Sequence, residues 1–248
     1  MDAPWAIITG ATGAVGRELL RIMGAAGWSV VGLHRGDAER AAAARADWTG
    51  PARRLDLRAC DLSDAAAVDA LHASLPADAC PDALIHLAAP PIVARPLHRG
   101  DWGEFQGQMD GVLKPVVLVT QPLLRRMLRR GHGRIVAALS MVVLGEPPRG
   151  FASYTTAKYA LAGYMKCLAA EYAGRGIAVN TVSPGPMNTS QLRELPPLLL
   201  EQMRASAPGG DWVAPAAVAR TIFWLAAEAT PEITGCNVPV TVGAPAQP

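Results

Sequence analysis

The stretch Trp5-Ala6-Ile7-Ile8-Thr9-Gly10-Ala11-Thr12-Gly13-Ala14-Val15-Gly16-Arg17-Glu18-Leu19-Leu20 decides how the chain is read. An apolar, strand-like run leads into glycines at three-residue intervals, and an amphipathic helix pattern begins immediately after them. Such glycines permit a tight turn and a close approach of backbone to ligand. The free N–H groups at the positive end of the following helix favour an anion there. Strand, turn and helix in this order read as a diphosphate cradle, with Gly10, Thr12, Gly13, Val15 and Gly16 as candidate binding residues. An ordinary glycine-rich β-to-α turn has the same glycines, so the rest of the chain must supply the context.

It does. Short apolar runs at Trp5–Thr9, Ser29–Leu33, Leu55–Cys60, Ala83–Leu87, Arg134–Leu139, Ala178–Val182 and Asn237–Val240 alternate with helix-length segments. The helices are expected near Val15–Ala26, Asp64–Leu75, Gly103–Arg130, Tyr154–Ala173 and Pro215–Ala227, with Ser63 as N-cap of the second and Pro215 opening the last. Nearly continuous apolar strands are those covered on both faces. The expected fold is therefore α/β: one Rossmann-type doubly wound parallel sheet of about seven strands with helices on both faces. The 248 residues suit one domain, 1–248. The Ala-rich part of Arg35–Pro51 suits a short helix. The Pro-, Leu- and Met-rich stretch around 186–212 interrupts the rhythm and is a candidate substrate lid.

Composition narrows the function. Half of the residues are hydrophobic and 18% charged, which excludes intrinsic disorder. Twenty-three basic against 21 acidic residues give no single-sign field, so neither nucleic acid nor an anionic membrane is an expected partner. Cys60, Cys80, Cys167 and Cys236 form no C-x-x-C pair and no metal pattern, so no metal is expected and the cysteines read as reduced small hydrophobes. With neither a signal-peptide pattern nor a bilayer-length apolar run, the expected setting is soluble and cytoplasmic.

Two scarce residue types meet at one place. Lysine occurs only at 114, 158 and 166, and all four tyrosines lie at 154, 159, 164 and 172. Tyr154-Thr155-Thr156-Ala157-Lys158 stacks a phenol and an ammonium on one helical face. By chance such a pair is expected about 0.05 times in this composition. A phenol titrates near ~10 and needs a neighbouring cation to act at neutral pH. Ser140, 14 residues upstream, ends a strand-like run at the carboxyl edge of the sheet, where open α/β folds bind ligands. Alone, the pair could be a helix-surface contact and the serine a loop residue.

Together with Asp61-Leu62, Asp82…Ala89, Asn180…Gly185, Thr189 and Ile233-Thr234-Gly235, these motifs resemble the short-chain dehydrogenase/reductase family over essentially the whole chain. The resemblance implies that Tyr154 is the general acid for carbonyl reduction and that Ser140 orients the substrate oxygen. Lys158 would hold the nicotinamide ribose and lower the tyrosine pKa. It further places Asp61 and Leu62 at the adenine, Ala88 and Ala89 beside the ribose, and Pro184, Gly185, Met187 and Thr189 at the carboxamide. A homo-oligomer, dimer or tetramer, built on the long helices is also implied.

Some positions depart from the family pattern. Ala14 replaces a glycine, and His86-Leu87-Ala88-Ala89 is similar to the extended, sugar-nucleotide branch. Val112 stands where many relatives carry an Asn whose water relays protons to the lysine. At the end of the second strand, His34 occupies the place of the NAD-selective Asp and Arg35 can pair with a 2′-phosphate, so NADP(H) is the expected cofactor. Arg125, Arg126, Arg129, Arg130, His132, Arg134 and Arg175 form a basic group. In 3-oxoacyl-carrier-protein reductases, residues at about these places dock the acidic carrier; a solvated helix face is the other reading. The resulting expectation is an NADPH-dependent ketoreductase of a small-molecule or carrier-bound β-ketoacyl thioester or related apolar ketone. A sugar or nucleotide-sugar enzyme and a non-catalytic NADP(H)-binding scaffold are the alternatives.

Overall fold

In β1 (Trp5–Thr9) alternate residues leave the sheet on opposite sides, and this period of two builds both layers of the core. Ile7 enters one buried cluster, while Ala6 and Ile8 enter the other. The computed structural model describes residues 3–51, 54–192, 195–205 and 211–242. Within them the elements run β1, α1 (Ala14–Ala25), β2 (Ser29–His34), α2 (Ala38–Ala46), β3 (Leu55–Ala59), α3 (Ala65–Ser74), β4 (Ala83–His86) and α4 (Trp102–Arg130). They continue with β5 (Gly133–Ala138), α5 (Ala152–Tyr172), β6 (Ile177–Pro184), α6 (Pro197–Ala205), α7 (Pro215–Phe223) and β7 (Asn237–Val240).

All seven strands are parallel in the order β3-β2-β1-β4-β5-β6-β7. Ile7 pairs with Val31 on one side and Leu84 on the other, so the chain reverses its winding between β1 and β4. A crevice opens at such a switch point beyond the carboxyl ends of the strands. Helices α3, α4 and α5 pack on one face through Val68, Val119 and Leu161, and α1 and α7 on the other through Leu19 and Ile222. Every residue of β4 and β6 is buried, as expected for strands covered twice. Pro239 is tolerated because β7 is an edge strand.

The helix ends show where local reading succeeds and fails. Asp37 and Asp101 cap α2 and α4 by accepting from the Arg40 and Glu104 amides at 2.9 and 3.0 Å. The cap of α3 is Asp64, which accepts from the Ala66 amide at 2.9 Å, and not Ser63. The Ser63 hydroxyl instead donates to Asp61 Oδ1 at 2.7 Å, one position before the helix boundary. The interrupted stretch 186–212 contains the 3-10 turn Ser190–Leu192 and α6; positions 193–194 and 206–210 lie outside the described residues. Among the described residues no helix is long and apolar enough to cross a membrane, and no three His, Cys, Asp or Glu side chains are grouped to hold a metal ion.

Candidate active site

The phosphate turn is locked by backbone contacts. Gly10 has φ +70°, and a Cβ there would lie 2.7 Å from the Ala88 amide nitrogen. A Cβ on Gly16 would lie 2.5 Å from the Gly10 carbonyl oxygen and 2.6 Å from that of Ala11. Helix α1 therefore begins directly against the turn, and only glycine allows it to. Gly13 is its N-cap and offers no side-chain acceptor, which leaves the first-turn N–H groups for a ligand. Thr9 Oγ1 accepts from the Leu87 and Ala88 amides at 3.2 and 3.3 Å, fixing the end of β4 beside this cradle.

Across the crevice, β5 and α5 bring Ser140, Tyr154 and Lys158 to one cavity. Ser140 follows β5; its Oγ accepts from the Val142 amide at 3.4 Å and lies close enough to the Tyr154 phenol to oppose its upward shift. Lys158 donates from Nζ to the Ala138 carbonyl at 2.8 Å and sits 5.8 Å from the centroid of the Tyr154 ring. Tyr154 and Lys158 are 5% and 4% exposed. Burial pushes the phenol up to about 12, against an opposing pull from Ser140, and pushes the Lys158 ammonium down to about 8. The expected lowering of the tyrosine by Lys158 is thus outweighed here, since the cation meets the ring face and not the hydroxyl. A protonated phenol is the form able to donate a proton.

A polar linkage that sequence reading missed anchors α5. The Ser153 hydroxyl donates to Glu104 Oε1 at 2.8 Å, and Glu104 pairs with Arg95 at 3.1 Å. The Arg95 amide in turn donates to the Gly150 carbonyl at 2.9 Å. The loop after β4, the start of α4 and the start of α5 are thereby joined next to Tyr154. No local spacing signals this, because the partners come from three separate segments.

One cavity of about 750 Å³ at the carboxyl ends of the strands unites the expected residues. Gly10, Thr12, Gly13, Val15 and Gly16 line it, as do Ala88, Ala89, Ser140, Tyr154, Lys158, Pro184, Gly185, Met187 and Thr189. His34, Arg35, Asp61 and Leu62 line it at and beyond the ends of β2 and β3. There His34 Nδ1 accepts from the Gly36 amide at 3.1 Å, and Arg40, unforeseen from sequence, pairs with Asp37 at 3.2 Å. Asp61 is held below the usual carboxylate range, first by the Ser63 hydroxyl and amide and then by the nearby Arg35 and Lys114 charges. The wall around Tyr154 is apolar. Ile92, Val142, Phe151, Leu192 and Leu195 form a separate buried cluster around Tyr154, with Met203 packed against it.

Other expectations change in three dimensions. His86 does not face the ligand space: it is buried, and its Nε2 meets Thr120 Oγ1 on α4 at 3.0 Å. Three members of the basic group are tied into the fold. Arg126 donates to the Pro76 and Ala79 carbonyls, Arg130 to those of Cys80 and Pro81, and Arg134 to that of Ala229.

A doubly wound sheet whose switch-point crevice holds a glycine phosphate cradle opposite a Ser–Tyr–Lys cluster defines a class, the nucleotide-dependent oxidoreductases that act on CH–OH and C=O groups. The family described as Enoyl-(Acyl carrier protein) reductase matches residues 10–244. The chain is 31% identical to the acetoacetyl-CoA reductase of Rhizobium meliloti (strain 1021), covering 96% of this chain and 97% of the relative. To the 3-oxoacyl-[acyl-carrier-protein] reductase FabG of Escherichia coli (strain K12) it is 30% identical, over 96% of each chain. A variant of actinorhodin polyketide ketoreductase solved with NADPH superposes with a TM-score of 0.84 at 26% identity, over 97% and 96% of the two chains. This chain belongs to the short-chain dehydrogenase/reductase family.

Proposed function

We propose that the protein is an NADPH-dependent ketoreductase that reduces a β-ketoacyl thioester, or a related apolar ketone, to the alcohol. The observation that carries this reading is the Ser140 and Tyr154 hydroxyl pair set against an apolar wall, with Lys158 behind the ring. Two hydroxyls fit one carbonyl oxygen: Ser140 orients it and Tyr154 gives it a proton. NADPH, when bound, supplies the hydride. The residues fit it: Gly13 and Gly16 open the cradle, and Lys158 and Thr189 line the nicotinamide end. The segment 186–212 is the substrate lid, since Leu192, Leu195 and Met203 help to close the apolar wall.

Purified protein should consume NADPH, read as loss of reduced-nicotinamide absorbance, when given acetoacetyl-CoA. Turnover of simple sugars alone would favour the sugar-enzyme reading. Tight NADPH binding without turnover of any carbonyl would favour a scaffold.

Arg35 lines the adenosine end and makes no ion pair among the described residues, so it serves the 2′-phosphate. Arg35→Ala should weaken NADPH binding by about 10- to 100-fold, the worth of a charge-assisted hydrogen bond, and leave NADH nearly unchanged. Titration of both nucleotides checks this, and tighter binding of NADH by the native protein would refute the assignment. For a carrier-bound substrate, Arg125, Arg129 and Arg175 remain as the docking cations. A homo-oligomer, dimer or tetramer, is proposed on α4 and α5, where Trp102 and Tyr159 are 73% and 51% exposed. A cytoplasmic setting agrees with four unpaired cysteines.

A further inference from the structure

Helix α5 carries Tyr154 in its first turn, and that turn has no side-chain cap. Its N-cap residue is Phe151, a side chain without a polar atom, and no acidic residue follows in the first turn. The first N–H groups of a helix lack intrahelical partners, and a cap is what usually fixes the start. By contrast Asp37, Asp64 and Asp101 cap α2, α3 and α4 with their own carboxylates. The start of α5 is held from another helix. Ser153, 1% exposed, donates its hydroxyl to Glu104 Oε1 on α4 at 2.8 Å, and the Glu104 side chain is only 10% exposed.

The contacts around this bond close on themselves. Glu104 Oε2 pairs with the Arg95 guanidinium at 3.1 Å, and the Arg95 amide donates to the Gly150 carbonyl at 2.9 Å. Gly150 takes φ +83°, and a Cβ there would lie 3.2 Å from the Arg95 nitrogen, so the two loop segments touch directly. From Gly150 the chain runs through Phe151 and Ala152 back to Ser153. Glu104 thus sits at the junction of the ring, its own amide held by Asp101 at 3.0 Å. The Phe151 ring meets Tyr154 edge-on with centroids 6.2 Å apart, an apolar contact without the direction of a hydrogen bond. Lys158, one turn further on, is anchored separately by its 2.8 Å bond to the Ala138 carbonyl. The start of α5 can therefore shift, and Tyr154 with it, while Lys158 stays in place.

We propose that Glu104 is a positioning residue for proton transfer: its carboxylate, acting through the Ser153 hydroxyl, fixes the first turn of α5 and with it the place of the Tyr154 hydroxyl. The inference rests on the ketoreductase reading. In that reaction the Tyr154 O–H bond breaks and its proton goes to the oxygen of the carbonyl being reduced. Glu104 and Ser153 form and lose no covalent bond and release no proton. Neither lines the cavity, so their contribution is geometric. A displacement of about 1 Å at a reacting group costs on the order of 100-fold in rate, so a bond that fixes one helical turn carries a large effect.

Glu104→Ala and Ser153→Ala each remove the bond. Both should lower kcat and kcat/KM for acetoacetyl-CoA together by about 10- to 100-fold, while NADPH affinity stays within about 2-fold. Glu104→Gln keeps an oxygen able to accept from Ser153 and should recover kcat to within about 3-fold of native. The double variant should be no slower than either single one, as for two residues acting through one bond. The pH dependence of the remaining activity should keep its native midpoint, because Lys158 stays buried. Each quantity is read per folded protein, by single-turnover kinetics beside a nucleotide titration. If Glu104→Ala fails to fold, Ser153→Ala, which removes one oxygen, carries the test. Native kcat in folded Ser153→Ala, multiplied losses in the double variant, or equal losses in the Gln and Ala variants would overturn the proposal. A parallel loss of NADPH affinity, or a shifted pH midpoint, would mark general disruption of the site and overturn it as well. Absence of ketone turnover in the native protein would instead overturn the ketoreductase reading and this assignment with it.

Discussion

Tyr154→Phe is expected to lower kcat for ketone reduction by about 10²- to 10⁴-fold, the usual contribution of a positioned general acid. The substitution removes one oxygen and keeps the ring that Lys158 faces at 5.8 Å and that packs against Phe151. NADPH affinity should therefore change little, and so should the melting temperature. Single-turnover kinetics beside a nucleotide titration separate the two effects. Undiminished turnover in the variant would remove Tyr154 from the chemistry.

The pH profile of the native enzyme follows from the same pair. Burial holds the Lys158 ammonium at about 8, so it is charged below that pH and loses its proton above it. Burial also holds the Tyr154 phenol at about 12, so it stays protonated throughout the accessible range. Reduction should accordingly be flat below neutrality and decline with a single limb centred near pH 8. A solvated lysine would postpone that limb to about 10.4. Locating the limb in kcat/KM tests whether burial or a counter-charge governs the site.

Gly16→Ala is the second change with a large expected effect, and it acts through the backbone. The added Cβ would meet the carbonyl oxygens of Gly10 and Ala11 at 2.5 and 2.6 Å, and neither belongs to a flexible side chain. Helix α1 must move away from the turn, which also displaces its first N–H groups from the diphosphate. A stability loss of about 1–3 kcal/mol is expected from such overpacking, together with a loss of NADPH affinity of at least about 10-fold. Gly13→Ala provides the contrast. Its Cβ would approach only the Gly10 oxygen, at 3.3 Å, and otherwise enter the ligand space. It should keep the melting temperature and still weaken the nucleotide. Thermal melts and titrations of both variants decide this; equal stability of the two would contradict the steric account.

Much of the site was legible because its parts are local. Glycines three apart between a strand and a helix have one geometry, and residues four apart on a helix share a face. Strand β1, the cradle and the Tyr154–Lys158 pair could thus be placed without knowing what surrounds them. Ser140 was placeable only at the sheet edge; its approach to Tyr154 depends on how β5 and α5 pack. Electrostatic expectations fared worse. Lys158 was expected to lower Tyr154, but desolvation depends on the atoms that bury both groups, and it dominates.

The sequence by itself determined the alternation of strands and helices, the glycine turn after β1 and the Tyr154–Lys158 pair on one helical face, since each rests on a pattern within one or two adjacent elements. Only the tertiary structure decided which polar groups find partners. His86 turns to Thr120, Arg130 ties down the Cys80–Pro81 turn, and Asp61 takes the hydroxyl that was expected to cap α3. Pro122 on α4 has no N–H for the Leu118 carbonyl, and His72, 46 residues before Leu118, meets that oxygen at 3.3 Å. Pairing across such separations is set by how whole elements pack against each other, and no local spacing encodes it.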